Sequence, residues 1–177
     1  MGHFAVSAIG RDRPGIVAAI AEGLLAVEGN VEDSRMTILG GHFAVMLLVA
    51  TGDEHGRPEI EAALSGAREQ LELEALTVSE IGDVGAARPA PDHVITVYGS
   101  DHPGIVHAIG AELAAAGVNV TDLQTRLAGG EDTPVYVMTA EVELGEQAAE
   151  QLRERLRDVG VRASVEVQLR PLDADAL

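Results

Sequence analysis

The sequence predicts an α+β protein built from two similar units in tandem, each with the element order β-α-β-β-α-β. One observation behind this prediction is an internal repeat: residues 10–39 and 99–128 align without a gap and are identical at 13 of 30 positions. The other is that strand-like and helix-like spacings of apolar residues follow one another in the same order in both copies. The repeat shows that the chain consists of two similar units, and this determines its architecture.

In the first unit, residues 3–9 are predicted as a strand, and a turn at Pro14 and Gly15 leads into a helix. Proline suits the first helical turn, and Asp12 is placed to cap the helix N-terminus. Glycine and asparagine at positions 29 and 30 are expected to end this helix. The apolar residues that keep helical spacing are Ile16, Ile20, Leu24 and Val27.

The rest of the first unit predicts a hairpin, a second helix and a closing strand. Residues 31–39 form the first arm of the hairpin, Gly40-Gly41 its turn, and the β-rich residues 43–50 a central strand. Leu76 and Val78 mark the closing strand by their spacing of two. The second helix is indicated by Ile60, Leu64, Ala67 and Leu71.

The second unit repeats this order. Strands are predicted at 93–98, 120–127 and 135–142, and the first helix begins near Ile105. A second helix is expected over Ala148, Leu152, Leu156 and Val159. The last strand is predicted from a perfect alternation of apolar residues, which are Val161, Ala163, Val165, Val167 and Leu169.

These elements divide the chain into a first domain at 1–82, a linker at 83–91, a second domain at 92–170 and an acidic tail at 171–177. The linker is rich in Pro, Gly and Ala and has no periodicity. Each domain predicts an antiparallel four-stranded sheet with both helices on one face, the ferredoxin-like arrangement. The other face and the outer strands must be solvated, paired or covered.

Composition limits the possible functions. The 177 residues carry a net charge of −17, from 29 acidic and 12 basic residues, and there is no cysteine. Nucleic-acid binding needs neutralised phosphates, so the sequence argues against direct nucleic-acid binding and against anionic membranes. Disulfides and thiolate sites are excluded. With no secretion signal and no apolar run long enough to cross a bilayer, we expect a soluble cytoplasmic protein.

Each copy of the repeat contains Asp-x-Pro-Gly-Ile-Val before its first helix and Asn-Val-x-Asp at its second strand. A helix N-terminus reached through a glycine loop offers free N–H groups to a carboxylate. Aspartate can accept hydrogen bonds from an ammonium group, and asparagine can both donate and accept. These residue types suit a free amino acid. A structural interpretation stays open, because the same residues also make caps and turns.

Together, the motifs and the element order resemble the ACT domain, a small ligand-sensing module of amino-acid metabolism. A chain of two such domains resembles the glycine cleavage system transcriptional repressor family. The resemblance implies that an amino acid binds at a junction of two ACT domains, between the loop of one and the second strand of its neighbour. The implied ligand-binding residues are Asp12, Gly15, Ile16, Asn30 and Val31 in the first unit, and Asp101, Gly104, Ile105, Asn119 and Val120 in the second.

Other candidate residues are weaker. His102, beside Asp101, could bind the ligand or sense pH, although a solvated loop histidine is the simpler interpretation. The remaining histidines show no metal-ligand spacing, and we expect neither metal nor cofactor. Arginines at 153, 155 and 157 alternate with acidic residues and indicate a solvated helix face. No nucleophile–base pair or phosphate loop is visible, so we expect no enzymatic activity.

Two functional hypotheses follow. In the first, a non-enzymatic regulator binds glycine or a similar small amino acid at ACT-domain junctions and modulates a partner protein, in transcriptional control of amino-acid metabolism. An acidic chain would act through a DNA-binding regulator as its protein partner, and homo-oligomers such as a homodimer are expected. In the alternative, the chain is a ligand-independent oligomerisation and interaction module with vestigial ligand loops.

Overall fold

The computed structural model describes residues 1–82, 90–130, 134–144 and 146–172. The chain separates into two compact units, Met1–Ala86 and Ala87–Leu177, which we call unit 1 and unit 2. Most of the predicted linker and of the predicted acidic tail lies outside the described residues, so the domain boundaries proposed from the sequence stay predictions.

Both units have the predicted element order. Each sheet is antiparallel and four-stranded, and with the strands of a unit counted along the chain, both sheets have the order second, third, first, fourth. The fold class, two tandem ferredoxin-like α+β domains, is therefore confirmed. The elements of unit 1 are β1 (Gly2–Arg11), α1 (Ile16–Leu25), β2 (Asn30–Leu39), β3 (His42–Thr51), α2 (Arg57–Gln70) and β4 (Ala75–Ile81). Those of unit 2 are β5 (His93–Gly99), α3 (Ile105–Ala115), β6 (Asn119–Ala128), β7 (Val135–Glu143), α4 (Glu146–Arg162) and β8 (Val165–Pro171).

Each unit has its own hydrophobic core between one face of the sheet and its two helices. Alternate residues of a strand face opposite sides, so Phe4, Val6 and Ala8 of β1 all point to the helices and are buried. The helical residues with the predicted spacing complete the core. In unit 1 these are Ile16, Ile20, Leu24, Ile60 and Leu64, and in unit 2 they are Ile105, Ile109, Leu113, Leu152 and Leu156.

The β2–β3 hairpin turns at the predicted diglycine. Gly40 has φ 58° and Gly41 has φ 80°, the left-handed backbone that a two-residue hairpin turn requires and that glycine adopts at little cost. Strand β3 then lies between β2 and β1, as the sequence predicted for a central strand.

Two predictions about α1 were wrong. Asp12 does not cap the helix: Gly15 is the N-cap residue, and no side chain makes a cap hydrogen bond, because the helix starts three residues later than an aspartate cap would need. The helix also ends earlier than predicted, at Leu25. Glu28 takes the left-handed conformation at φ 51°, and Gly29 N donates to Leu24 O at 2.9 Å, which closes the helix end.

The last strand is also shorter than predicted. Val161 belongs to α4, which continues to Arg162, and β8 begins only at Val165. The alternation of apolar residues begins inside α4, where Val161 is exposed and does not belong to the core. The core side of this helix is formed by Leu152, Leu156 and Val159, which keep the helical spacing. Ser164, at φ 51°, makes the turn between helix and strand.

Candidate functional site

The two candidate loops have the same backbone. Gly15 at φ 94° and Gly104 at φ 103° are the N-cap residues of α1 and α3. Both need the left-handed region that favours glycine. A Cβ added at either glycine would meet no atom within 4 Å. The space above each helix start is therefore open.

Neither helix N-terminus is capped by a side chain. Ala19 N donates to Gly15 O and Ala108 N donates to Gly104 O, both at 2.9 Å, so the intrahelical ladder begins there. The N–H groups of the preceding first-turn residues have no intrahelical acceptor. Such groups, with the positive end of the helix dipole, can bind a carboxylate.

The predicted residues of each loop differ in what they can offer a ligand. Asp12 and Asp101 are exposed beside the helix starts. Ile16 and Ile105, in contrast, are only 3% and 2% exposed, because their side chains belong to the two cores. These isoleucines can therefore present only a backbone N–H to a ligand.

The predicted second-strand residues lie at the other end of each sheet. Asn30 pairs with Ala50, which pairs with His3 at the start of β1, whereas the loop follows Arg11 at its end. His3 and Arg11 are eight residues apart in β1, which corresponds to about 26 Å at roughly 3.3 Å per residue. Asn119 and Val120 lie in the same way at the His93 end of unit 2. Within one unit, therefore, the loop and the asparagine cannot contact one small ligand.

Val31 does share a surface with Ile16. Both line an apolar groove of about 140 Å³ that runs between α1 and β2. Strand β2 is an edge strand and is exposed along nearly its whole length. Several of its large apolar side chains face solvent, namely Val31, Met36, Ile38 and Leu39.

In unit 1, the loop is fastened at two points. Asp12 N donates to Gly41 O of the diglycine turn at 2.9 Å. The Arg13 guanidinium donates to the Glu72 carboxylate at 2.9 Å. This hydrogen bond and the charge of Arg13 lower the pKa of Glu72, and Arg11 adds a smaller effect in the same direction.

In unit 2, the loop is fastened by a histidine. His102 Nε2 lies 2.7 Å from Ala163 O at the end of α4, and Nδ1 lies 3.1 Å from Pro103 O. A carbonyl oxygen only accepts, so both ring nitrogens must carry protons to satisfy both contacts. The hydrogen bonds to Pro103 and Ala163 raise the pKa of His102, burial opposes that rise, and the charge of Asp101 adds a smaller effect in the raising direction. His102 is therefore a partly exposed loop histidine that also fastens the loop, a contact that the sequence did not predict.

An open depression of about 740 Å³ lies beside this second loop. Ser100 and Asp101 line it from the loop, and Tyr98 and Glu166 line it from the sheet. Both carboxylates are exposed there, an arrangement that favours a positively charged group. This negative charge suits the ammonium group of an amino acid.

Sequence reasoning missed both loop fastenings because their partners are distant in the chain, 59 residues from Arg13 and 61 from His102. The feature of the sequence that could have identified them is their position: Arg13 and His102 both precede the proline of their motif, and both can carry a positive charge. No group of three or more histidine, aspartate or glutamate residues within the described ranges could hold a metal ion. No helix in that part of the chain is long and apolar enough to cross a membrane.

Both copies of this arrangement match models of a known protein family. One ACT-domain model matches residues 3–77, and a second matches residues 93–161, so the two matches cover most of each unit, although β8 lies outside the second match. This chain belongs to the ACT-domain family. We refer below to unit 1 and unit 2 as its two ACT domains.

Individual relatives agree with this family. The glycine cleavage system transcriptional repressor of Escherichia coli (strain K12) is 31% identical over 126 residues, which span 70% of this chain and 64% of the repressor. The match thus covers less than two thirds of that relative's length. A crystal structure of an unknown protein from Galdieria sulphuraria is 29% identical, with a TM-score of 0.80 over 97% of this chain and 99% of that one.

A second crystal structure, of a candidate glycine cleavage system transcriptional repressor, is 19% identical and has a TM-score of 0.72 over 97% of this chain and 98% of that one. At this identity the likeness shows the fold alone. The fold of this chain is therefore also found, over nearly its whole length, in other chains of similar extent.

Proposed function

We propose that this protein is a non-enzymatic regulator that binds a small amino acid, glycine or a similar one, at one or both of the loops before α1 and α3. One observation carries the proposal: each loop presents an uncapped helix N-terminus, open space above its glycine and an exposed aspartate. The ligand carboxylate would accept from the first-turn N–H groups. Its ammonium group would donate to Asp12 or Asp101.

The asparagines and valines at the start of β2 and β6 belong to the same proposal, as the contribution of a second ACT domain to each site. The support is the distance of about 26 Å between loop and asparagine along β1, at roughly 3.3 Å per residue. Asn30 and Asn119 are both exposed, as residues that complete a neighbouring site must be. A homo-oligomer is one way to supply such a neighbour.

A ligand that binds one arrangement of ACT domains better than another shifts the population toward it. We propose that this shift changes affinity for a protein partner, and that the partner is a DNA-binding regulator. The net charge of −17 disfavours direct contact with nucleic-acid phosphates. Similarity to a transcriptional repressor supports the proposed link to transcriptional control, and a cytoplasmic location goes with it.

The test is a thermal-shift screen of the full chain against the twenty amino acids. A ligand that binds only the folded state raises the melting temperature. At a hundredfold excess over Kd it adds about 2.7 kcal/mol to the free energy of unfolding. We expect glycine or another small amino acid to do so, and Asp12→Ala or Asp101→Ala to remove the shift. Glu54→Ala, in the exposed loop between β3 and α2, is the matched control. No shift with any amino acid at millimolar concentration would refute amino-acid sensing.

The exposed edge strand β2 favours a second candidate, an interaction module that does not need a ligand. Unpaired strand edges bind other strands, and the apolar groove beside β2 would be covered in such a complex. Sedimentation analysis separates the two functions. A stable oligomer that glycine does not change would favour the module, whereas an amino-acid-dependent change in assembly would favour the regulator.

A further inference from the structure

A group of three arginines comes together only in the folded structure. Arg153 and Arg157 of α4 and Arg170 of β8 line one depression of about 220 Å³, which we call the arginine pocket. The two helical arginines are four residues apart and therefore lie on the same face of α4. The sequence indicated only a solvated helix face here, because it could not bring Arg170 beside that face.

Among the described residues, none of those that line the arginine pocket is acidic; its other lining residues are Val167, Gln168 and Leu169. This is unexpected in a chain with 29 acidic and 12 basic residues. Positive charges at the i and i+4 positions of a helix repel one another. A bound anion would remove that repulsion.

Two of the guanidinium groups are held in position by neighbours. Arg153 pairs with Glu150 one turn earlier on α4. Arg170 donates to Gln168 Oε1 at 2.6 Å, and Gln168 in turn donates to Glu166 at 2.6 Å. Arg157 has no ion-pair partner among the described residues. All three arginines therefore line the pocket, two of them held by neighbours and one without an ion-pair partner in the part of the chain that the structure describes.

The fold itself does not require this arrangement, since ACT domain 1 lacks it. Aligning the buried faces of α2 and α4 places Glu61 and Ser65 at the positions of Arg153 and Arg157. The strand registers place Ser79 at the position of Arg170. In α2, Glu61 makes an ordinary i,i+4 ion pair with Arg57. The three arginines are therefore particular to ACT domain 2.

We propose that the arginine pocket binds a small phosphoryl-bearing anion, as a site separate from the amino-acid loops. Guanidinium groups are planar and match phosphate oxygens with two parallel hydrogen bonds. Three of them around one depression fit an anion with several charged oxygens better than a single carboxylate. The site does not depend on the function proposed above, because none of its residues lies in either loop.

The probe is inorganic pyrophosphate, titrated into the full chain by calorimetry at constant ionic strength. We expect saturable binding of one pyrophosphate per chain, and at least tenfold weaker binding for the double variant Arg157→Gln/Arg170→Gln. Arg157→Lys keeps the charge and loses the paired donors, so we expect an intermediate loss of about threefold. Circular dichroism and melting temperature show that each variant is folded.

The matched control is Arg68→Gln/Arg126→Gln, which removes the same charge from two exposed positions outside the pocket. Unchanged pyrophosphate affinity in this control supports a specific site. Equal weakening in both double variants would show general charge attraction and overturn the proposal, as would the absence of saturable binding. Binding of a short DNA duplex through these arginines without pyrophosphate binding would also overturn it. Amino-acid binding, tested separately, is expected to be the same in both double variants.

Discussion

The loops before α1 and α3 have the same backbone but are fastened by different chemistry. Both turn at a glycine near φ 100°, with φ 94° at Gly15 and 103° at Gly104. In ACT domain 1, Arg13 makes an ion pair with Glu72. In ACT domain 2, His102 occupies the same position of the repeat and contacts the Ala163 carbonyl. The two copies of the repeat thus share the glycine that sets the loop backbone, but different residues attach the loop to the rest of its domain.

This difference shows which constraints act on the two loops. Only glycine adopts the left-handed region without steric cost, so the glycine recurs. A fastening needs only a donor that reaches the end of the second helix, and both arginine and histidine provide one. The consequence is functional: arginine keeps its charge at any physiological pH, whereas histidine loses its charge near neutrality.

The largest expected effects are at the glycines that precede the loops. A Cβ at Gly99 would lie 2.7 Å from Val165 Cγ1 and 3.2 Å from Val165 Cα, whereas a Cβ at Gly10 would lie 3.0 Å from Phe43 Cε1. A ring edge can move more easily than backbone. We expect Gly99→Ala to lower the free energy of unfolding by about 3 kcal/mol and Gly10→Ala by about 1 kcal/mol, measured by urea denaturation.

Gly110→Ala is the control for these variants, because a Cβ there meets nothing within 4 Å. It lies inside α3, where alanine is favoured over glycine by about 1 kcal/mol. Hydrogen exchange assigns each change to one ACT domain. Equal losses for Gly99→Ala and Gly10→Ala would mean that the two sheets accommodate a methyl group equally well at this position.

The next effect concerns Phe43 and Tyr136, which occupy the same register position opposite Gly10 and Gly99. The Tyr136 hydroxyl is covered and has no hydrogen-bond partner among the described residues. Burial raises the pKa of Tyr136, the charge of Asp101 raises it further, and the nearby Thr125 side chain opposes that rise. Thr125 nevertheless does not reach hydrogen-bond geometry with it.

Because a buried hydroxyl without a partner costs stability, Tyr136→Phe is expected to raise the free energy of unfolding by about 1 kcal/mol. Phe43→Tyr, which introduces the same group into a fully buried site, is expected to lower it by about 2 kcal/mol. Both are measured by urea denaturation. A loss of stability in Tyr136→Phe would contradict the assignment of this hydroxyl as a buried group without a hydrogen-bond partner.

The sequence predicted the fold well because the repeat and the periodicity report local, mutually consistent constraints. Strand order follows from the βαββαβ sequence of elements, and the core residues of both helices follow from their spacing. Helix ends were predicted less well. Glu28 and Ser164 take the left-handed conformation without being glycine, so no residue type marks those turns.

The candidate site was only partly predictable, for a related reason. The motifs identified the two loops, since glycine and aspartate act there through local geometry. Contacts over long sequence separations carry no such pattern: neither Arg13 with Glu72 nor the arginine pocket could be inferred from spacing. The contact of His102 with Ala163 could not be predicted because the acceptor is a backbone carbonyl, which no residue type in the sequence marks.

A smaller effect is expected where the first helix of each domain ends. Glu28 at φ 51° corresponds to Gly117 at φ 69°, and left-handed geometry costs a residue with a Cβ about 1–2 kcal/mol. Glycine loses more backbone entropy on folding, which offsets part of that gain. We expect Glu28→Gly to stabilise ACT domain 1 by about 0.5 kcal/mol and Gly117→Ala to destabilise ACT domain 2 by about 1 kcal/mol. Thermal denaturation tests both, and a destabilising Glu28→Gly would contradict the expected relief of strain.

The smallest effect, and the most specific test of the two fastenings, is in their pH dependence. The pKa of His102 is raised above its ordinary value of 6.5, so its contribution to stability is complete below pH 6.5 and is lost as pH rises through the raised pKa. The melting-temperature difference between the native chain and His102→Gln should therefore be largest near pH 6 and shrink towards pH 9. The effect is small because the imidazole is only half-buried and water can replace a lost hydrogen bond.

Arg13→Gln is the matched variant in ACT domain 1. The pKa of Glu72 is lowered from 4.5, so the contribution of this pair is complete above pH 4.5 and is lost as pH falls through the lowered pKa. The melting-temperature difference between the native chain and Arg13→Gln should stay constant from pH 6 to pH 9 and diminish only in acid. If both variants gave the same profile between pH 6 and pH 9, the exchange of arginine for histidine would have no consequence for the loops. If only the melting-temperature difference for His102→Gln changes over this range, the loop of ACT domain 2, and not that of ACT domain 1, has an attachment that responds to pH near neutrality.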